Sequence, residues 1–340
     1  MEILIGLLII AIGSFGQSSS YVPIKKVQEW SWETFWLVQG KFAWIIFPLI
    51  GAFIAVPSIS GLIALLSSGG ALKALIFGAL WGIGGLTFGL SMRYLGVALG
   101  QSIALGMCSA FGTLLPALFA GTDLLSGNGL ILLIGVCITL AGISVIGYAG
   151  ALRSQNMSEE EKRAAIKDFA MTKGLVVAIL AGVMSGCFAL GLDAGAPIKE
   201  AAIAQGVAPL FAGLPVILMV TLGGFVTNAS YCLYQNVKNH TFREYFQFKP
   251  YYGKNILFCA LAGGLWYSQF FGLEMGKSFL SDSPILLAFS WSILMSLNII
   301  FSNIWGILLK EWKGSGSKTV WVLLCGLLIL VFAVFFPSMF

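Results

Sequence analysis

The run from Asn128 to Ala149, NGLILLIGVCITLAGISVIGYA, carries no charged side chain over 22 residues. A helix needs roughly 20 apolar residues to cross the hydrocarbon core of a bilayer, so this run reads as a membrane span. Working outward from it, the same character recurs at 3–22, 35–57, 72–92 and 97–119 before it, and at 173–194, 209–235, 254–276, 284–309 and 319–337 after it. The expected fold is therefore an all-α integral membrane protein with ten transmembrane helices. The softest boundaries are the hairpin Arg93-Tyr94-Leu95-Gly96 and the segment Ser58 to Gly70, which reads as an extracellular loop with a partial helix.

Composition agrees with this reading. The 340 residues are 58% hydrophobic and 10% charged, with a mean hydropathy of +0.94, whereas a soluble chain carries about a quarter charged residues. Charge this sparse leaves the soluble-enzyme and disordered classes without support, and lipid is the implied solvent. The formal net charge of +5 is no sign of a nucleic-acid partner, because the basic residues collect in alternate loops. The six cysteines are isolated within apolar stretches and form neither a disulfide framework nor a zinc spacing. No metal or cofactor motif is present, and Met1-Glu2 leads straight into apolar sequence, which is expected to be a retained span.

Of the 19 Lys and Arg residues, 15 fall in the odd-numbered loops, three (Lys73, Lys199, Lys277) in the even-numbered loops, and Lys41 within a span. The positive-inside rule then makes the odd loops cytoplasmic and places both termini on the outer face. The chain divides into an N-terminal five-helix half at 1–150, a cytoplasmic linker at 151–172 and a C-terminal five-helix half at 173–340. Within the linker, Ser158-Glu159-Glu160-Glu161 followed by Lys162, Arg163 and Lys167 predicts a short solvated helix.

Two halves of five spans start from opposite sides of the membrane, so similarity between them implies an inverted repeat. Tyr21-Val22-Pro23-Ile24-Lys25 at the end of the first span matches Gly195-Ala196-Pro197-Ile198-Lys199 at the end of the sixth. Leu80-Trp81 with Gly89-Leu90-Ser91-Met92 in the third matches Leu265-Trp266 with Gly272-Leu273-Glu274-Met275 in the eighth. In transporters of this architecture the substrate binds near the midplane and the halves rock around it.

The polar residues at depth are mostly neutral. They include Gln17, Gln39, Gln101, Asn228, Ser268, Gln269, Ser292, Ser296, Asn298 and Asn303. Such groups serve as interhelical hydrogen bonds in any bundle, and as a set they suit a polyhydroxylated neutral solute better than an ion or a lipid. A sugar ring also has an apolar C–H face that stacks on an indole. Trp30, Trp32, Trp36, Trp312 and Trp321 flank spans and read as an interfacial belt. Trp81 and Trp266, about nine and twelve residues into their spans and so ~13–18 Å deep, are candidates for the cavity lining, with Trp291 a weaker one.

Active transport needs a coupling ion, and the ionisable groups at depth are few. His240 falls in a cytoplasmic loop. Glu33 at the cytoplasmic entrance of the second span, Asp193 near the outer end of the sixth and Glu274 near the outer end of the eighth are candidate proton carriers. Lys41 follows Glu33 by two steps of four on the same helical face, where it either snorkels or exchanges carboxylate partners during transport. Gly272 to Ser278 imitates a P-loop but has three residues between its glycines where four are required.

Six motifs occur in order along the chain. They are Lys25-Lys26-Val27 with Trp30-Ser31-Trp32-Glu33-Thr34, Trp81-Gly82-Ile83-Gly84, Met92-Arg93-Tyr94-Leu95-Gly96, Gly263-Gly264-Leu265-Trp266-Tyr267, Gln269-Phe270-Phe271, and Leu309-Lys310-Glu311-Trp312. Together they resemble the L-rhamnose/proton symporter family, which belongs to the drug/metabolite transporter type, over nearly the whole chain. The resemblance implies a bacterial inner-membrane protein that carries L-rhamnose inward with a proton rather than sodium. It also carries over Glu33, Arg93, Trp81, Trp266, Tyr267 and Gln269 as pattern residues, and makes Glu33 the first choice of proton-linked acid. The chain departs from the family pattern at Gly85 and Thr87, where asparagines are expected. The expected substrate contacts are thus Gln17, Trp81, Gln101, Trp266, Tyr267, Gln269, Trp291 and Asn298. An exporter or exchanger of drugs or metabolites on the same scaffold is the rival reading, and an integral-membrane enzyme finds no nucleophile or metal cluster to support it.

Overall fold

The computed structural model describes residues 2–95, 97–155, 171–310, 312–313 and 315–340; of Met92, Arg93, Val97, Ala98, Leu99, Gln101, Ser154 and Met171 it describes the backbone. The described residues are helical, with no strand among them. Ten helices are long and apolar enough to cross a membrane: Glu2–Ile24, Trp32–Ala55, Ala71–Ser91, Ser102–Phe119, Gly127–Arg153, Thr172–Ala204, Leu214–Lys238, Tyr252–Ser278, Pro284–Leu308 and Ser317–Met339. These are spans 1 to 10 below. The helix expected between Ser158 and Lys167 lies outside the described residues.

Two local departures from the expected boundaries trace to proline, and the partial helix expected between Ser58 and Gly70 is present. Span 6 continues to Ala204 because Gly195 interrupts it for only one residue and Pro197, in the first turn of Ala196–Ala204, restarts a helix. Span 7 begins at Leu214, later than the apolar run suggests, because Pro215 takes the first-turn position and the preceding residues form turns. Between spans 2 and 3, Ser58 accepts the Gly61 N–H at 3.1 Å and caps a short helix, Ile59–Leu66.

The chain forms two compact units, each drawing on both sequence halves. The first comprises Met1–Gly82 and Gly191–Phe279, the second Ile83–Leu190 and Leu280–Phe340. In the first unit, spans 1 and 8 meet along glycines: a Cβ at Gly272 would stand 2.9 Å from the Ile9 carbonyl and one at Gly276 2.7 Å from the Gly6 carbonyl. The Ser268 hydroxyl donates to the Gly13 carbonyl at 3.1 Å across the same seam. Close backbone approach of this kind replaces the hydrophobic effect as the source of helix association in lipid. In the second unit, Ile143, Ile299, Ile300, Leu323, Leu327 and Leu330 form one buried cluster joining spans 5, 9 and 10.

Candidate functional site

The first unit contains a run of indoles that begins at the start of span 2 and ends where spans 3 and 8 meet. Trp32 and Trp36, one turn apart near the start of span 2, stack with centroids 5.4 Å apart. Trp36 meets Trp44 edge-on at 5.8 Å, and Trp44 meets both Trp81 and Trp266 edge-on at 5.9 Å. Trp81 and Trp266 face each other at 5.8 Å, tilted by 31°. The two tryptophans singled out at the midplane therefore touch. Trp36 is an interior link of this run as well as a belt residue, since its Nε1–H donates to Asn228 Oδ1 at 3.1 Å. Asn228 Nδ2 in turn donates to the Gly224 carbonyl at 2.9 Å, which ties spans 2 and 7 together beside the cluster.

Glycine makes room for these rings. A Cβ at Gly40 would press on the Trp44 six-membered ring at 2.5–2.7 Å, and one at Gly224 would overlap that of Trp81. Tyr267, next to Trp266, is buried and packs its ring against Phe271 at 6.3 Å. Its hydroxyl fills the space that a side chain at Gly51 would take and has no hydrogen-bond partner. Gln269 is buried one turn on and donates to the Trp266 carbonyl at 3.1 Å. Gln17 in span 1 is half-buried and accepts from Ser18 Oγ at 3.3 Å.

The remaining expected contacts lie in the second unit. Trp291 is buried, stacks on Phe188 at 5.6 Å and donates Nε1–H to the Cys108 carbonyl at 3.2 Å. Asn298 is half-buried on the same span. Gln101 is helical, and its side chain lies outside the described residues.

The ionisable candidates occupy four different settings. Glu33, 6% exposed, accepts from Asn239 Nδ2 at 2.9 Å and Thr241 Oγ1 at 2.8 Å through one oxygen. These donors come from the turn after span 7, where Asn236 also donates to Thr34 and accepts from the Tyr245 hydroxyl at 2.8 Å. Burial in this loop pushes the Tyr245 phenol up from its ordinary value. Among the described residues no cation lies within ion-pair distance of Glu33. Glu274, 4% exposed, is instead clamped between Lys199 at 3.1 Å and Lys277 at 3.0 Å, one ammonium on each oxygen. Asp193 is exposed. Lys41 is exposed as well, one residue before the irregular turn of span 2, and has no anionic partner among the described residues.

Ten apolar helices among the described residues, with neutral amides and a cluster of contacting indoles around the buried Trp44, fit the class of multi-pass membrane transport proteins. Within that class, the chain belongs to the L-rhamnose-proton symport protein family, whose match covers residues 1–338. It is 35% identical over 337 residues to the L-rhamnose-proton symporter of Yersinia pestis (strain Pestoides F), with 97% of this chain and 96% of the relative covered. The same figures hold for the L-rhamnose-proton symporter of Yersinia pseudotuberculosis serotype O:1b (strain IP 31758). The family is one of transporters and not of enzymes.

Two features of the site escape sequence reasoning. Trp44 sits in an unbroken apolar run with nothing local to mark it, and Gln39 is one of many polar residues in spans. What distinguishes both is burial without a partner, which depends on tertiary packing.

Proposed function

We propose that this chain imports L-rhamnose in symport with a proton across the bacterial inner membrane, by alternating access, with both termini on the periplasmic face. The observation that carries the reading is the family match over residues 1–338. The paired Trp81 and Trp266 rings supply what a sugar needs chemically, an apolar wall for its C–H face beside amide and hydroxyl groups. The lysine and arginine bias toward odd loops supports the orientation.

The two halves are proposed to be inverted repeats, and the helix contacts support it. Exchanging spans 1–5 with 6–10 maps the pairing of spans 1 and 8 onto that of 6 and 3, where a Cβ at Gly191 would stand 3.3 Å from Phe77 Cβ. It maps spans 2 and 8, in contact at Gly263 and Ala43, onto spans 7 and 3, where Thr227 Oγ1 donates to the Ala79 carbonyl at 2.9 Å. Spans 1 and 6 each break for one residue before a proline-bearing helix, Tyr21–Ile24 and Ala196–Ala204.

The proposed sugar contacts in the first unit are Gln17, Trp81, Trp266, Tyr267 and Gln269. Contacts from Gln101, Trp291 and Asn298 of the second unit are proposed separately, each testable by replacement. Glu33 is the proposed proton-linked acid, since neutral donors hold it and no cation among the described residues compensates it. A proton drives uptake only if it favours one conformation over another, and a loop-bound carboxylate at the cytoplasmic end of span 2 meets that condition when its hydrogen bonds depend on protonation. Lys41, Asp193 and Glu274 are secondary candidates, with Glu274 already compensated by two lysines.

Counterflow of radiolabelled L-rhamnose in proteoliposomes, with L-fucose, L-mannose and L-lyxose as competitors, tests the substrate. The expected result is saturable exchange in which L-rhamnose competes best. Absence of exchange refutes it.

A further inference from the structure

Span 2 is not a continuous α-helix. Residues Phe42–Ile46 make one π turn, a widened turn that inserts an extra residue and recurs at functional sites. Trp44 sits within it. Its ring is 3% exposed and lies edge-on to Trp36, Trp81 and Trp266.

An indole has one polar atom, a donor, and a buried indole normally gives it an acceptor. Trp36 and Trp291 do so, to Asn228 Oδ1 and to the Cys108 carbonyl. The Trp44 Nε1–H is fully buried and has no acceptor. One wide turn earlier, Gln39 is 2% exposed and its Oε1 has no donor. The two unmet groups are complementary in kind, one lacking an acceptor and the other lacking a donor, and a hydroxyl supplies both. Neither atom has an N or O partner in the fold. An apolar residue at either position would fill the space without burying an unpaired polar atom.

We infer that Trp44 and Gln39 bind hydroxyl groups of the transported sugar, Trp44 donating from Nε1 and Gln39 accepting at Oε1, with the π turn setting the position of the indole. The assignment deepens the transport reading and rests on it. It makes span 2 a sugar-reading helix, and it makes the edge of the Trp44 ring a determinant of which hydroxyl is recognised, while Trp81 and Trp266 contribute faces.

The test is L-rhamnose counterflow in proteoliposomes of the wild type, of Gln39→Leu and of two replacements at 44. Trp44→Phe removes the N–H together with part of the ring. Incorporation of β-(3-benzothienyl)alanine keeps the bicycle and removes only the N–H, so packing is preserved if the phenylalanine variant fails to fold. The expected result is a KM raised about tenfold for the benzothienyl variant and for Gln39→Leu, with Vmax near wild type and unchanged thermal unfolding. Among monodeoxy analogues of L-rhamnose, one that the wild type takes poorly should be carried equally by wild type and benzothienyl variant, because its missing hydroxyl is the partner of the missing N–H. Wild-type transport with KM in both variants within twofold of wild type overturns the assignment alone. A wild type that does not carry L-rhamnose overturns the transport reading, and this assignment with it.

Discussion

Gly224 lies beneath the six-membered ring of Trp81, so close that a Cβ at 224 would overlap ring atoms Cζ3 and Cε3. The position of Trp81 against Trp266 therefore depends on a missing side chain in span 7. Gly224→Ala should force the indole out of its place. The expected loss of stability is about 1–3 kcal/mol, the usual range for overpacking, with uptake reduced more than stability. Thermal unfolding of purified protein and initial uptake rates check this. An alanine variant with wild-type uptake would show that the ring position is not needed.

Glu33→Gln keeps an acceptor for Asn239 and Thr241, so the loop around it should remain folded. If Glu33 carries the proton, accumulation of L-rhamnose against a gradient is lost while counterflow, which needs no net proton movement, persists. Wild-type accumulation should fall as external pH rises, and the glutamine variant should be insensitive to pH. Accumulation by the variant at wild-type levels would move the proton to another carboxylate.

Glu274 is the negative centre of a cluster with two lysines, and removing it leaves both ammonium groups without a counter-charge. Breaking a buried pair in this way costs about 3–5 kcal/mol. Lys199 and Lys277 retain 34% and 19% side-chain exposure, so the expected cost of Glu274→Ala is nearer ~2 kcal/mol. Combining Glu274→Gln with Lys277→Met should recover part of it. Thermal unfolding in detergent at two ionic strengths reads both effects, and a fully stable Glu274→Ala would mean that the cluster contributes nothing.

In the second unit the Ser109 and Ser292 hydroxyls meet at 2.7 Å, both buried. Each Ser→Ala change strands the other oxygen, although Thr139 stands 3.5 Å from Ser292. A double-mutant cycle should give a coupling of about 1 kcal/mol, with the double variant no less stable than the worse single one. Additive losses would show that the two hydroxyls do not depend on each other.

The membrane class and the ten spans are legible in the sequence because bilayer thickness sets a length and lipid forbids charge, and both are local properties of the chain. The choice of Trp81 and Trp266 as candidates is legible too, through depth and through the matching Leu-Trp dipeptides of spans 3 and 8, although the contact between their rings is not. Trp44 is not, because its neighbours in sequence are as apolar as it is and the π turn that holds it has no local sequence mark. The lysine clamp on Glu274 is equally hidden. Lys199 joins it only because the helix of span 6 restarts after Gly195 and carries the residue to the end of span 8. The end of span 7 shows the same limit, since Asn239 and Thr241 read as loop residues until the turn brings them onto Glu33.

In the proposed cycle L-rhamnose and a proton move inward together. Proteoliposomes loaded with a pH-sensitive dye, with membrane potential clamped and no initial pH gradient, measure it directly when L-rhamnose is added outside. Symport should acidify the lumen in a way that saturates with L-rhamnose, is abolished by a protonophore and is absent in Glu33→Gln. Sugar entry without acidification, or entry that requires sodium, would contradict it.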